Sequence, residues 1–253
     1  MRNLVLAIAA AALLAGSISY GATGATDVPK NNSEEQRAKI NDLETRGDLA
    51  RIHGDYLRSI EYYRSAIRLD QKNSKLYNKL GVSELKADQL HAAKSDFAKS
   101  SKLDPKFAAP LNNLGAVACM EKKYSAATKY LKQALALAET DAPLHVNLGE
   151  AWLGLGQLDR ALAEYSRALE LDGDIFSENQ SGGTTAKLRT PEQRATASYL
   201  IARMYAKRGN LEGALEQLRR AKQDHYPAMA NVYKDAEFAA LWNDPRLNQI
   251  VSR

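Results

Sequence analysis

Four glycines recur in this chain at a fixed spacing of 34 residues, at Gly47, Gly81, Gly115 and Gly149. The residues around them recur too. Twelve positions after each glycine stands a small residue, and sixteen after it a large one. The small set is Ser59, Ala93, Ala127 and Ala161, and the large set is Tyr63, Phe97, Leu131 and Tyr165. A period of this length predicts an array of one repeated unit in place of a single globular core.

Within each unit the spacings of three and four residues indicate two helices joined by a short turn. Equivalent points of that turn are occupied by Gly54, Asp88, Lys122 and Gly156. A glycine inside a helix costs about 1 kcal/mol relative to alanine. Its recurrence therefore predicts a close helix–helix approach, and we expect the small residues of the second helix to make that contact.

The segment YNKLG at residues 77–81, followed by Ala93, Phe97 and Pro105, resembles the tetratricopeptide repeat (TPR) family. The resemblance implies an all-α TPR solenoid of stacked antiparallel helix pairs. Four repeats span residues 40–175, and a fifth, divergent one spans 195–226. Three positions depart from the family pattern: Arg46 replaces a leucine, Glu84 a small residue and Ala202 the fifth glycine.

The N-terminus carries an apolar run at residues 4–16, preceded by Arg2 and followed by small residues up to position 25. This order is typical of a secretory signal, so residues 1–25 are predicted to be a cleaved signal peptide and the protein to be exported, periplasmic or secreted. An uncleaved membrane anchor is the alternative. Ser17 stands where a lipoprotein would need its cysteine. Residues 26–39 are predicted to be disordered or to form an N-terminal lead-in.

Residues 176–194 lack apolar periodicity and are predicted to be a flexible insertion. Helix should resume with Thr190 as the N-cap, Pro191 in the first turn and Gln193 completing a capping box. Residues 227–253 are predicted to form a helical cap over the last pair, as the end of a solenoid requires. Trp242 is expected to be buried in this cap, with partner binding as the alternative.

Composition and motifs give an enzyme little support. The 35 basic and 30 acidic residues are interspersed, which does not favour a nucleic-acid partner. The four histidines lie far apart, and no phosphate-binding loop or nucleophile elbow is present. No metal, cofactor or small-molecule substrate is therefore predicted. The single Cys119 cannot form an intramolecular disulfide and is interpreted as a small apolar helix residue.

The family resemblance implies that the exposed face of each first helix lines a concave groove. On this basis the candidate binding residues are Asn78, Asn112, Asn113, Asn147, Val82, Met120, Val146, Tyr199, Arg203 and Lys207. The first unit contributes Glu44 and Asp48, so the groove is expected to run from acidic through apolar to basic.

Asn113 and Asn147 match the place where some TPR proteins carry asparagines that hold a peptide backbone. A side-chain amide offers both a donor and an acceptor, which suits a peptide of any sequence. Bonding to water or to a neighbouring helix is the alternative. Other TPR domains clamp the C-terminal carboxylate of a chaperone with Lys and Arg. Glu44 and Asp48 occupy the corresponding first-unit positions here, which disfavours that partner.

These observations predict an exported scaffold that binds a protein or an extended peptide in its groove. One alternative is an assembly factor for a cell-envelope complex, contacting a folded partner through its convex face or C-terminal cap. An enzyme is the remaining alternative, and a membrane partner is expected only if the signal segment is retained.

Export can be tested by sequencing the N-terminus of the protein recovered from its native cells. We expect the chain to begin near Ala25 or Thr26, because signal peptidase cleaves after small residues. Intact Met1 in a cytoplasmic fraction would contradict the export prediction.

Overall fold

The computed structural model describes residues 30–176 and 190–252, and every regular element within them is helical. The α-helices are α1 (Lys30–Ile52), α2 (Tyr56–Leu69), α3 (Ser74–Lys86), α4 (Leu90–Leu103), α5 (Ala108–Met120), α6 (Tyr124–Leu135), α7 (Ala142–Gly154), α8 (Leu158–Leu171), α9 (Pro191–Lys207), α10 (Leu211–Gln223) and α11 (Pro245–Val251). Two 3-10 helices, Met229–Tyr233 and Ala236–Leu241, precede α11. Consecutive helices pack in pairs, which confirms the predicted fold class. The predicted signal peptide and most of the predicted insertion lie outside the described residues. The disorder predicted for residues 26–39 is wrong for residues 30–39, because these continue the first helix of the array as the start of α1.

Several helices begin where polar side chains hold the first backbone N–H groups. Asp55, Asn73 and Asn210 each accept a hydrogen bond from the backbone N–H three residues further on. At the start of α9, Thr190 and Gln193 form the predicted capping box in both directions. Such caps satisfy donors that the helix itself leaves unpaired, and so fix where each helix starts.

The repeated glycines meet the large residues of the second helices and not the small ones. A Cβ atom on Gly81 would lie 2.7 Å from Cε1 of Phe97, and one on Gly115 would lie 2.5 Å from Cγ of Leu131. Gly47 and Gly149 face Tyr63 and Tyr165 in the same way. The expectation that the small residues require the glycine is therefore wrong, because the large side chain sixteen positions later fills that space.

The small residues do lie in the same interface, where they are fully buried. Ala93, Ala127 and Ala161 have no exposed surface. Ser59 instead donates a hydrogen bond of 2.9 Å to the backbone carbonyl of Gly47. The small side chains therefore let the second helix approach closely, while the large ones determine which residue of the first helix must be glycine.

The turn inside each pair uses left-handed backbone at the positions that the sequence marked as equivalent. The φ angles there are 79° at Gly54, 59° at Asp88, 56° at Lys122 and 72° at Gly156. The fifth pair has the same feature at Gly209, with φ of 77°. A left-handed residue is the usual way to end a helix and reverse the chain. Aspartate and lysine adopt it at a cost that glycine avoids.

The fifth pair joins the array in the reverse direction. Gln193, near the start of α9, donates a 2.9 Å hydrogen bond to the hydroxyl of Tyr124, the first residue of α6. Tyr205, near the end of α9, lines one pocket with Asp174 and Phe176, which follow α8. Helix α9 therefore runs in the direction of the second helices α6 and α8, whereas α3, α5 and α7 run the other way.

The number of residues between α8 and α9 and a glycine at the end of α7 allow this reversal. The chain between Leu171 and Pro191 is long enough to return along the full length of α8 before α9 begins. The ring of Tyr124 lies on the backbone of Gly154, where a Cβ would clash with it, and its hydroxyl is thereby placed beside α9. The 34-residue period does not continue through this junction, because α9 begins at the other end of α8 from the end at which earlier pairs are joined.

The segment after α10 covers the outer side of the fifth pair. Phe238, Leu241 and Leu247 are fully buried, and Ile250 is nearly so. Trp242 donates its indole N–H to the carbonyl of Val232 at 2.9 Å but keeps 39% of its surface exposed. Burial of the apolar residues supports capping by this segment, although the expected burial of Trp242 is incomplete.

Glu84, which replaces the usual small residue, is a fully buried carboxyl between the first and second pairs. Its Oε1 forms an ion pair with Arg64, whose Nη2 lies 2.7 Å away. Burial, together with the facing carboxyl of Asp96, raises the pKa of Glu84 to about 7, and Arg64 opposes this increase. Glu84 is therefore easier to keep buried when it carries a proton.

Replacing Glu84 by Gln should reduce the dependence of stability on pH. The pKa of Glu84 in the folded chain is about 7, above its ordinary value of 4.5, so the folded chain binds the proton more tightly than the unfolded chain. Stability should fall as the pH rises from about 5 to about 8, by on the order of 2 kcal/mol. Urea unfolding at both pH values should show a smaller loss for Glu84→Gln than for the parent or the exposed control Glu61→Gln. Equal losses in all three would contradict this assignment.

Candidate peptide-binding groove

The first helices of neighbouring pairs are linked by side chains at a constant separation. In the first three such links, a residue three before one glycine bonds the residue two before the next. Lys79 pairs with Glu44 at 2.7 Å. Asn113 donates to Asn78 at 2.9 Å, and Asn147 donates to Asn112 at 2.7 Å. The linked residues of α1, α3, α5 and α7 therefore form one row that crosses these helices.

The asparagines predicted to hold a ligand are bonded to neighbouring helices. Nδ2 of Asn113 and Nδ2 of Asn147 each donate to the amide oxygen of an asparagine one pair earlier. This is the alternative that the sequence left open. The Nδ2 groups of Asn78 and Asn112, in contrast, make no hydrogen bond to the described part of the chain, and both residues are partly exposed. These two amides can donate to a ligand.

Half-buried apolar side chains accompany the asparagines. Val82 and Met120 pack against a buried cluster that contains Phe97 and Val117. Val146 is likewise half-buried against the larger core of the later pairs. Their exposed edges give the central part of this surface apolar character next to amide donors, a combination that suits an extended peptide.

The acidic end of the line is neutralised within the chain. Nζ of Lys79 lies 2.7 Å from Glu44 and 2.6 Å from Asp48. The hydroxyl of Tyr63 donates to Asp48 at 2.7 Å. Partial burial would raise the pKa of Asp48, but the hydrogen bonds from Lys79 and Tyr63 hold it below the ordinary value. Sequence reasoning missed Lys79, although its separation of 35 residues from Glu44 equals that of the asparagine pairs.

The C-terminal segment covers most of the predicted basic end. Tyr199 is 2% exposed and donates to Asp235 at 2.7 Å. Arg203 pairs with Glu237 at 2.6 Å and lies 3.8 Å from Asp235. These bonds compensate the charge of Arg203, and Lys207 is the one of the three predicted residues that stays exposed.

Aromatic contacts complete this covering. Tyr199 stacks on Tyr226 with ring centroids 4.3 Å apart, and Phe238 packs edge-on to Tyr199 with ring centroids 5.6 Å apart. The structure therefore brings together the asparagines and apolar residues of the first four pairs. Tyr199 and Arg203 instead belong to the contact between α9 and the cap. The acidic residues in the tail were the sequence signal for this contact.

Two features are absent from residues 30–176 and 190–252. Their histidine, cysteine and acidic side chains form no cluster of three or more that could hold a metal ion. No helix in these segments is long and apolar enough to cross a membrane.

Comparison with protein families gives three matches, each to a model described as tetratricopeptide repeat, at residues 44–73, 106–174 and 184–230. Together they cover more than half of the chain. The chain belongs to the tetratricopeptide repeat family. Residues 184–230 include the divergent fifth pair, so this TPR protein keeps the repeat signature even where the direction of the helices is reversed.

Relatives of this TPR protein include the Hsp70-Hsp90 organizing protein 1 of Glycine max, which is 22% identical over 215 residues, covering 81% of this chain and 36% of the relative. The Hsp70-Hsp90 organizing protein of Triticum aestivum is 22% identical over 214 residues, covering 80% and 36%. The match to this chain thus spans 36% of the length of each of these relatives.

Similar solved structures include Pseudomonas aeruginosa pilF, with a TM-score of 0.55 and 18% identity, covering 83% of this chain and 90% of that one. YrrB, described as a TPR protein with an unusual peptide-binding site, has a TM-score of 0.50 and 21% identity, covering 81% and 96%. MamA has a TM-score of 0.50 and 22% identity, covering 70% and 93%. At these identities the likeness shows the shared fold.

A double-mutant cycle should show that Asn78 and Asn113 stabilise each other. Either single change to Ala removes the 2.9 Å hydrogen bond between the two amides. In the double variant the second change therefore removes no further bond. We expect a coupling free energy of about 0.5–1.5 kcal/mol in urea unfolding. The pair Asn78 and Asn147, which share no bond, is the matched control. Additive effects for Asn78 and Asn113 would contradict the inter-helix bond.

Proposed function

We propose that this TPR protein is an exported scaffold that binds an extended peptide segment of a protein partner across α3, α5 and α7. The observation that carries the proposal is the pair of amide donors on Asn78 and Asn112, set beside the half-buried Val82 and Met120. A peptide in extended form presents backbone carbonyl oxygens at regular intervals and apolar side chains between them. The surface offers a complement to both groups.

The relatives support the general class of function. Hsp70-Hsp90 organizing proteins carry the names of chaperone partners, and YrrB is described as having a peptide-binding site. A chaperone tail, bound through its terminal carboxylate, is not the ligand we propose. In this chain Glu44 and Asp48 occupy the first-unit positions, and their one shared cation, Lys79, is already bound to both. A further carboxylate would meet no uncompensated positive charge there.

Export is part of the proposal and is supported by the sequence of residues 1–25, which lie outside the described structure. Cleavage of that segment would leave the array outside the cytoplasm, where the partner would be an envelope or secreted protein. Retention of the segment would instead hold the array at a membrane surface.

Site-directed photo-crosslinking in the native cells tests the proposed surface. A photo-reactive phenylalanine analogue placed at Val82 or Met120 should capture the partner, whereas the same group at the exposed Lys99 of α4 should not. Mass spectrometry of the adduct should identify a peptide with alternating apolar residues. Titration of that peptide should show about a tenfold loss of affinity for the double change of Asn78 and Asn112 to Ala, because two ligand carbonyls lose their donors.

The alternative of binding through the cap has its own supporting observation, the exposed aromatic surface of Trp242 and Tyr233, each 39% exposed. Crosslinking from position 242 but from neither Val82 nor Met120 would favour this alternative. Affinity that survives the asparagine changes but falls with Trp242→Ala would reject the groove.

A further inference from the structure

The outward face of α1 is the one first-helix face that no described helix covers. In later pairs the residues five and one before the glycine pack against the preceding second helix, as Leu76 and Leu80 do with 0% and 4% exposure. The same positions in the first pair are Asp42 and Arg46, whose side chains are 55% and 57% exposed. This accounts for the departure of Arg46 from the repeat pattern.

Four exposed charges form a single stripe on this face, and their signs alternate. Glu35, Lys39, Asp42 and Arg46 are spaced by four, three and four residues, which places them on one side of a helix. Gly47 and Ile40 lie on the opposite, buried side. Within the stripe, Arg46 and Asp42 form an ion pair of 2.9 Å.

The order of the charges on α1 is complementary to the same order on a second, antiparallel copy of the helix. Two copies of α1 can lie antiparallel with a two-fold axis between residues 40 and 41. Lys39 then faces the partner's Asp42, and Glu35 faces the partner's Arg46. A two-fold axis makes each of these contacts twice.

Other nearby registers are disfavoured by like charges. Sliding one copy by four residues in one direction brings Glu35 opposite the partner's Asp42. Sliding it by four in the other direction brings Lys39 opposite the partner's Arg46. Charged residues in any order would keep this face soluble. The alternating order of signs does more, because it favours one antiparallel register of the two helices and disfavours the adjacent registers.

We propose that the Glu35–Lys39–Asp42–Arg46 stripe of α1 joins two copies of this chain into a symmetric dimer. Leu49 continues the stripe by one turn and is 51% exposed, so it adds apolar surface to the contact. Because exposed ion pairs are individually weak and are screened by salt, the dimer is reversible and salt-sensitive. Joining the arrays through their first helices leaves both caps outward and gives the dimer two copies of the groove, which raises its avidity for a partner with two binding segments.

Charge-swap variants of the purified chain test the register. Lys39→Glu places two acidic groups opposite each other, and Asp42→Lys places two basic groups opposite each other. In sedimentation velocity at low salt, each variant should dimerise about tenfold more weakly than the parent. An equimolar mixture of the two should dimerise as the parent does, because each contact then joins opposite charges. The double variant Lys39→Glu/Asp42→Lys should recover the homodimer for the same reason.

Lys99→Glu lies on the exposed face of α4 and changes the net charge by the same amount as Lys39→Glu. It is the matched control and should leave the dimer unchanged. Circular dichroism of the single variants checks that they fold, and recovery in the mixture separates lost contact from lost structure. A parent chain that stays monomeric at every concentration would overturn the proposal. A dimer that neither single variant weakens, or that the mixture does not restore, would also overturn it.

Discussion

The array depends on one contact repeated in every one of the first four pairs: a large side chain of the second helix lying on the bare backbone of the first. Phe97 against Gly81 and Leu131 against Gly115 are examples, each with space for no further carbon atom. This contact fixes both the distance and the rotation of the two helices. Since every pair has the same internal geometry, neighbouring pairs can stack by one repeated rule, which is how a solenoid builds stability without a single core.

Stacking then depends on side chains that join the first helices to each other. The Lys79–Glu44, Asn113–Asn78 and Asn147–Asn112 bonds occupy equivalent positions, although the first is ionic and the others are between neutral amides. Each asparagine bond uses one donor of one amide and orients the other amide. The inter-pair contact and the proposed ligand surface therefore share the same asparagines, and the half-buried Val82 and Met120 follow them along α3 and α5.

The two ends of the array solve the problem of an uncovered helix face differently. At the C-terminal end, Tyr199 and Arg203 are covered by the chain's own tail through Asp235 and Glu237. At the other end, the leucine of the repeat is replaced by Arg46, and a row of exposed charges lies on α1. Burial by the tail leaves Tyr199 and Arg203 engaged within the chain. No described helix covers the charged face, and its self-complementary order suits the proposed contact with a second copy.

The sequence by itself determined the all-α class, the four regular pairs, the equivalent turn positions and the cap of α9, because these depend on local spacing and on backbone preferences that adjacent residues settle. It also identified the asparagines and apolar residues of the central surface. Only the tertiary structure showed that Tyr63 and its equivalents require the glycines, and that α9 runs in reverse. It alone paired Lys79 with Glu44 and Arg203 with Glu237. These features depend on which side chains meet across a helix interface and on where a long connection leads the chain, and neither is encoded in the spacing of residues along one helix.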